Sequence, residues 1–227
     1  VTTQESKTPE HQAIYARLRD MILFGEVAPG QSVTIHGLKE RIGAGMTPVR
    51  EAIRRLIAEG ALENLENRRI CVPEMTLNQL EQISFARLAI EPELALRAAQ
   101  NADSALTEDL AEIDSRLDLA IERGDVKGYL EHNYRFHFRL YEQADADVLF
   151  TLAGGLWLRV GPSLRIVCGR YGTSNLPDFH DTAMDALAAG DPHKVCAYVE
   201  KDIRQGLEQI RLSLTESEGQ QDQVRFR

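Results

Sequence analysis

Three arginines, Arg50, Arg54 and Arg55, crowd into the segment MTPVREAIRRLIAEG, residues 46–60. Val49, Ile53, Leu56 and Ile57 follow the helical period behind them, so the arginines belong to a helix with one buried face. Arg50 and Arg54 are four apart and share a side of it. Thr47 can cap this helix, Pro48 suits its first position, and Gly60 supplies the stop. Positive charge near a helix N-terminus opposes the macrodipole, so local stability does not account for the cluster. A polyanion laid against that end does, and the chemistry is contact with phosphates and base edges.

A second constellation lies in the other half. Asn133 and His137 are four apart and share a face with Leu130, Tyr134 and Tyr141; His180 stands near the start of a later helix. Neutral imidazoles and an oxygen ligand converging inside a bundle suit a divalent transition metal, with zinc or nickel fitting the histidines and manganese the oxygen ligands. The same residues also make sense as core histidines satisfied by ordinary hydrogen bonds. Arg159 and Arg165 flank Gly161-Pro162, where a kink would open a pocket between helices. Arginines there, beside a metal with open positions, would clamp a small carboxylate as effector. A metal-dependent hydrolase or lyase, with the N-terminal part as an interaction module, is the second reading. It needs a general base beside the metal. No HExxH, Gly-rich phosphate loop or Ser-His-Asp arrangement is present, so no catalytic residues are assigned.

These residues need elements to position them. The first nine residues are polar and are expected to be disordered. From Glu10, Ile14, Leu18, Met21 and Ile22 predict a helix that Gly25 ends; "VAPG" is a turn; Ile35, Leu38 and Ile42 predict a short helix closed by Gly43. After the arginine helix, "ALENLENRRICVPE" predicts a small hairpin, with Leu62 and Leu65 before its turn, Ile70 and Val72 after it, and Pro73 at its end. Three helices and a hairpin are the winged helix-turn-helix order, over residues 10–73, and the third helix would enter the major groove N-terminus first. The alternative is a small three-helix domain whose arginines are merely solvated. Beyond Pro73 the chain reads as helical, with candidates Leu77–Gln100, Leu106–Arg123, Val126–Glu142, Val148–Val167, Asp178–Ala189 and Pro192–Leu214. The fold class is therefore mainly α: a winged helix-turn-helix domain followed by an all-α antiparallel helix bundle over residues 74–214, then a loose polar tail over 215–227.

Charge separates the same two parts. The 227 residues carry a formal net charge of -9, yet residues 1–72 sum to +1 and the rest to -10. An acidic chain does not coat nucleic acid with its whole surface, but one local basic patch is compatible with it. Cys71, Cys168 and Cys196 are odd in number and scattered, which suits a reducing cytoplasm rather than a disulfide framework. No run approaches the roughly 18 apolar residues of a membrane span and no secretory signal is visible, so no membrane partner is expected.

"IYARLRDMILFGEVAPGQSV" followed by "MTPVREAIRRLIAEGAL" strongly resembles the DNA-binding domain of the GntR family of bacterial transcription regulators. "FARLAIEPELA", "NYRFHFRLYE" and "FHDTAMDALAAGDP" resemble, in order, segments of its FadR-type FCD effector domain. The resemblance spans roughly residues 11 to 212. It implies a cytoplasmic homodimer, controlled by a small carboxylate, that binds a pseudo-palindromic double-stranded DNA operator as a repressor or activator. Thr47 and Arg50 match the family's DNA-contacting pattern; Arg54 is a further DNA-contact candidate, and both Arg54 and Arg55 are in part structural. Where the family usually has Ser-Arg before "TPVRE", this chain has Gly45 and Met46. Methionine cannot make the bidentate contact to guanine that an arginine makes, so an altered sequence preference is expected. His36 stands where a basic residue often touches DNA, and Arg68 and Arg69 are the wing candidates. In the metal-binding subgroup of FCD domains, Asp or Asn is followed four residues on by His and then by two further histidines. Asn133, His137 and His180 match the first three positions, and Asp202 falls at the fourth. Arg87 matches a recurrent arginine of the domain and is the first effector-binding candidate; a salt bridge to Glu91, one turn on, is its other use.

Overall fold

A computed structural model describes residues 10–66, 69–170 and 177–225, with side chains for all of these except 104, 166–170 and 217–225. The expected disorder of the first nine residues, Arg68 and the Cys168 thiol lie outside this description.

The N-terminal unit runs α1 (Glu10–Leu23), β1 (Val33–Thr34), α2 (Ile35–Ile42), α3 (Met46–Ala58), β2 (Glu63–Asn64) and β3 (Arg69–Cys71). Leu18, Ile22, Leu38, Val49, Ile53 and Leu56 form its core. Two local signals set α2: the Thr34 hydroxyl accepts from the Gly37 N–H, and Gly43 closes the helix at φ 71°. Helix α3 is capped by Gly45 with no side-chain hydrogen bond, so Thr47 sits inside the first turn and is not the cap. The wing is a three-stranded antiparallel sheet in the order β1-β3-β2, not a two-stranded hairpin. Val33 pairs with Ile70, and Glu63 with Cys71.

Residues 73–76 connect this unit to α4 (Leu77–Gln100), which starts on a capping box: Thr76 accepts from the Gln79 N–H, and the Gln79 side chain accepts from the Thr76 N–H. The bundle continues through α5 (Ser104–Arg123), α6 (Val126–Tyr141), a 3-10 turn (Glu142–Ala144), α7 (Asp147–Arg170), α8 (Phe179–Ala188) and α9 (Pro192–Arg225). Asp103, Asp125 and Asp178 cap α5, α6 and α8 with their carboxylates. Helix α9 continues past Leu214 to Arg225, so the polar tail is helical as far as it is described. Helix α7 runs unbroken through Pro162. A Cβ on Gly161 would lie 2.8 Å from Leu23 Cδ1, so this glycine admits the end of α1 against the bundle.

The two units touch through α1 on one side and α6 and α7 on the other. Arg19 donates to the Tyr134 hydroxyl and lies over its ring, with Cζ 5.4 Å from the centroid. Lys127 and Arg41 both pair with Glu26, at 2.6 and 3.1 Å. Arg165 donates to the Gly25 carbonyl. No helix among the described residues is long and apolar enough to cross a membrane.

Candidate metal centre and nucleic-acid interface

Thr47, Arg50 and Arg54 lie on the exposed side of α3, opposite the buried Val49, Ala52, Ile53 and Leu56. The three arginines differ in what holds them. Arg54 pairs with Glu51 at 2.6 Å. Arg55 pairs with Glu59 at 2.8 Å and stacks on Tyr15, with its Cζ 3.8 Å from the ring centroid, so it ties α3 to α1. Arg50 is exposed and has no ion pair among the described residues. Met46 is half-buried at the first helical position. His36 is exposed at the start of α2, 3.9 Å from Glu40. Arg69 is exposed on β3, paired with Thr34, so the wing candidate and the start of α2 are held together by the sheet.

In the bundle, α6, α8 and α9 bring His137, His180 and Asp202 together, with one ligand atom from each inside a 4.8 Å cluster. Asp202 Oδ2 lies 3.0 Å from His137 Nε2, and its Oδ1 lies 3.8 Å from His180 Nε2. Both Nε2 atoms are buried and lack a partner in hydrogen-bond geometry; the His137–Asp202 contact is close but misaligned. Asn133 is buried one turn before His137 and lines a cavity of about 80 Å³ with His180, Asp202, Gln205, Tyr129 and Asp178. That space holds several waters or a small carboxylate. Glu200 pairs with Arg204 and is turned to other work.

The other ring nitrogens are held from behind. Asp114 Oδ1 on α5 lies 2.9 Å from His180 Nδ1, and the Tyr141 hydroxyl lies 3.3 Å from His137 Nδ1. Burial pushes the His137 imidazole down from its ordinary pKa. Burial acts the same way on His180, but Asp202 and Asp114 outweigh it and the net shift is upward. Burial raises Asp202, yet the facing His180 and His137, with Arg87 behind them, hold its carboxyl at about 2. The cluster therefore favours positive charge between its members. Two orphaned imidazole nitrogens, one ionised carboxylate and a neighbouring amide oxygen are a donor set that fits a borderline divalent cation.

The three effector candidates do not converge on this cavity. Arg87 is buried in the salt bridge to Glu91, with Nε 2.5 Å from Oε1 and its Cζ 4.4 Å from the Trp157 ring. Glu91, fully buried, also accepts from Trp157 Nε1 at 2.8 Å and from the Tyr141 hydroxyl at 2.9 Å. Arg159 and Arg165 are exposed on α7 at the junction between the units. Arg165 is engaged with Gly25, and Arg159 lies against Gly60 in a cleft of about 230 Å³ that Glu63 and Glu74 also line, a poor setting for an anion. Beside the Gly161-Pro162 step, where the sequence predicts a pocket, Leu23 fills the space among the described residues. Asp114 and Glu91, which hold or support the ligands, carry no periodic signal of their own.

The GntR model, "Bacterial regulatory proteins, gntR family", matches residues 10–72, and the FCD domain model matches residues 82–205. The chain belongs to the GntR family of bacterial regulatory proteins, in its FCD-containing branch. The HTH-type transcriptional regulator McbR of Escherichia coli K12 is 30% identical over 147 residues, 65% of this chain and 66% of that protein. The HTH-type transcriptional repressor RspR of the same strain is 31% identical over 149 residues, 65% of each chain. The matched segments thus span about two thirds of the length of these relatives. The probable D-xylose utilization operon transcriptional repressor of Paenarthrobacter nicotinovorans is 26% identical over 206 residues, 86% of this chain and 91% of that one. The solved structure of Escherichia coli McbR/YncC superposes with a TM-score of 0.82 at 24% identity, covering 89% of this chain and 97% of that one, a likeness of fold.

Proposed function

We propose that the chain is a cytoplasmic, homodimeric repressor that binds a pseudo-palindromic operator through α3 and the wing, and whose bundle senses a small organic acid at a divalent metal held by Asn133, His137, His180 and Asp202. The observation that carries the sensing half is the convergence of two orphaned Nε2 atoms on Asp202 beside a small cavity. The metal would supply Lewis acidity and open positions for the acid's carboxylate. Arg50 carries the DNA half, as an exposed cation on the outer face of α3 with no ion pair among the described residues. A second copy is required because one winged helix reads one half-site.

The test compares wild type with His137→Ala, His180→Ala and Arg50→Ala, measuring metal content, thermal shift and operator affinity together. The histidine variants are expected to lose metal, and with it the stabilisation that any ligand of the folded state confers, while keeping basal operator binding. Arg50→Ala is expected to keep the metal and to lose about 1–3 kcal/mol of operator affinity. Equal metal content in all four proteins removes the metal centre, and unchanged affinity in Arg50→Ala removes α3 from the DNA surface.

A further inference from the structure

Each imidazole of the cluster is backed by a carboxylate, reached by a different route. His180 Nδ1 meets Asp114 Oδ1 at 2.9 Å, and Asp114 is only 4% exposed. His137 Nδ1 meets the Tyr141 oxygen at 3.3 Å, and that hydroxyl reaches Glu91 Oε2 at 2.9 Å. The hydrogens follow by elimination. Glu91 Oε2 also faces Arg87 Nη2 and Trp157 Nε1, groups that only donate, so Glu91 acts as an acceptor. Tyr141 has one proton and gives it to Glu91. Its oxygen can then only accept from His137, which places the His137 hydrogen on Nδ1; the competing acceptor, Asp202 Oδ2, is 3.0 Å from Nε2 but outside hydrogen-bond geometry. A carboxylate oxygen 2.9 Å from the ring nitrogen accepts, so Asp114 imposes the same state on His180. Both Nε2 atoms are thereby left as bare lone pairs, and both are among the three buried side-chain atoms of the described residues without a hydrogen-bond partner. Neither Asp114 nor Glu91 lines the cavity.

We propose that Asp114 and the Glu91–Tyr141 pair are positioning residues that lock His180 and His137 in their Nδ1–H forms, presenting two Nε2 lone pairs to one divalent cation beside Asp202. The proposal rests on the metal reading above for its purpose, but the lock is a property of the metal-free protein. Outer carboxylates of this kind orient ligating histidines and raise their basicity, and removing one costs about 10–100-fold in metal affinity.

The decisive measurement is a long-range proton–nitrogen correlation spectrum of full-length, chelator-treated protein labelled with 15N-histidine, recorded at alkaline pH where both rings are neutral. His137→Gln and His180→Gln assign the two rings. Wild type is expected to show both as Nδ1–H. Asp114→Asn is expected to mix the two tautomers of His180 alone, and Tyr141→Phe those of His137 alone. In parallel, Co2+ titrations followed by the visible d–d bands are expected to show about 10–100-fold weaker binding in each variant. An Nε2–H ring in wild type, or tautomers unmoved in both variants, overturns the proposal. So does undiminished Co2+ affinity in both variants. If one variant fails to fold by circular dichroism, the other carries the test. A wild type with both rings Nδ1–H, and variants that shift them, supports the lock even if no Co2+ is taken up; that last result would overturn the metal reading instead.

Discussion

Arg55 and Arg50 are five residues apart on one helix and do different things. Arg55 is committed to Glu59 and the face of Tyr15, and Tyr15 in turn donates to Glu59 at 2.6 Å. Burial first, and then Glu59, push the Tyr15 hydroxyl from 10.0 up to about 12. A pKa raised in the folded state adds stability that is complete below the unfolded value and is lost as pH climbs through the folded one. The junction of α1 and α3 is therefore expected to weaken between pH 10 and about 12. Denaturant midpoints across that range should fall in wild type and fall less in Tyr15→Phe; parallel curves would refute the assignment. The sequence reads Arg54 and Arg55 alike as partly structural; pattern reaches Asn133, His137 and His180, and the family resemblance adds Asp202. Neither reaches Asp114, because the carboxylate meets a histidine 66 positions away and sits in a helix already dense with charge.

At the scale of the elements, periodicity and caps located the helices to within a few residues, except the end of α9, which runs eleven residues past the expected Leu214 where the apolar stripe gives out; most helices begin on Asp or Thr. The first strand went unseen: Val33–Thr34 is two residues long, and only its partner Ile70 makes it a strand. Spacing also could not tell an opened pocket from a close approach at Gly161, since the occupant, Leu23, comes from a different unit. A comparable approach constrains Gly25, where the chain leaves α1 at φ 68° and an added Cβ would meet Arg165 Cδ at 3.1 Å and Leu130 Cδ1 at 3.2 Å. The left-handed backbone alone costs an L-residue about 1–2 kcal/mol. Gly25→Ala is expected to lower stability by at least that much in a denaturant melt, and an unchanged midpoint would show that the junction readjusts freely.

At the scale of the whole molecule, α6 serves both halves. Asn133 lines the cavity and His137 joins the His180–Asp202 cluster beside it, and Tyr134, between them in sequence, receives Arg19 from α1 while stacking on Phe138 at 4.1 Å. A ligand that prefers one setting of α6 must bias α1 by its differential affinity for the two settings, and the coupling is reciprocal. Tyr134→Phe keeps the ring and removes the Arg19 bond. It is expected to leave metal affinity and basal operator binding intact while reducing the effect of metal on operator affinity, by roughly the 0.5–1.5 kcal/mol of one hydrogen bond. A coupling equal to that of wild type would place the transmission elsewhere, with the α1–α7 packing as the next candidate.

The connection over residues 73–76 has a geometric consequence for reading DNA. Four residues reach at most about 14 Å when fully extended. A reading head on so short a tether cannot search for its half-site independently of the bundle that carries it. In the proposed dimer the distance between the two heads would be inherited from the way the bundles meet, so the acidic half would act as the ruler that sets how many base pairs separate the half-sites.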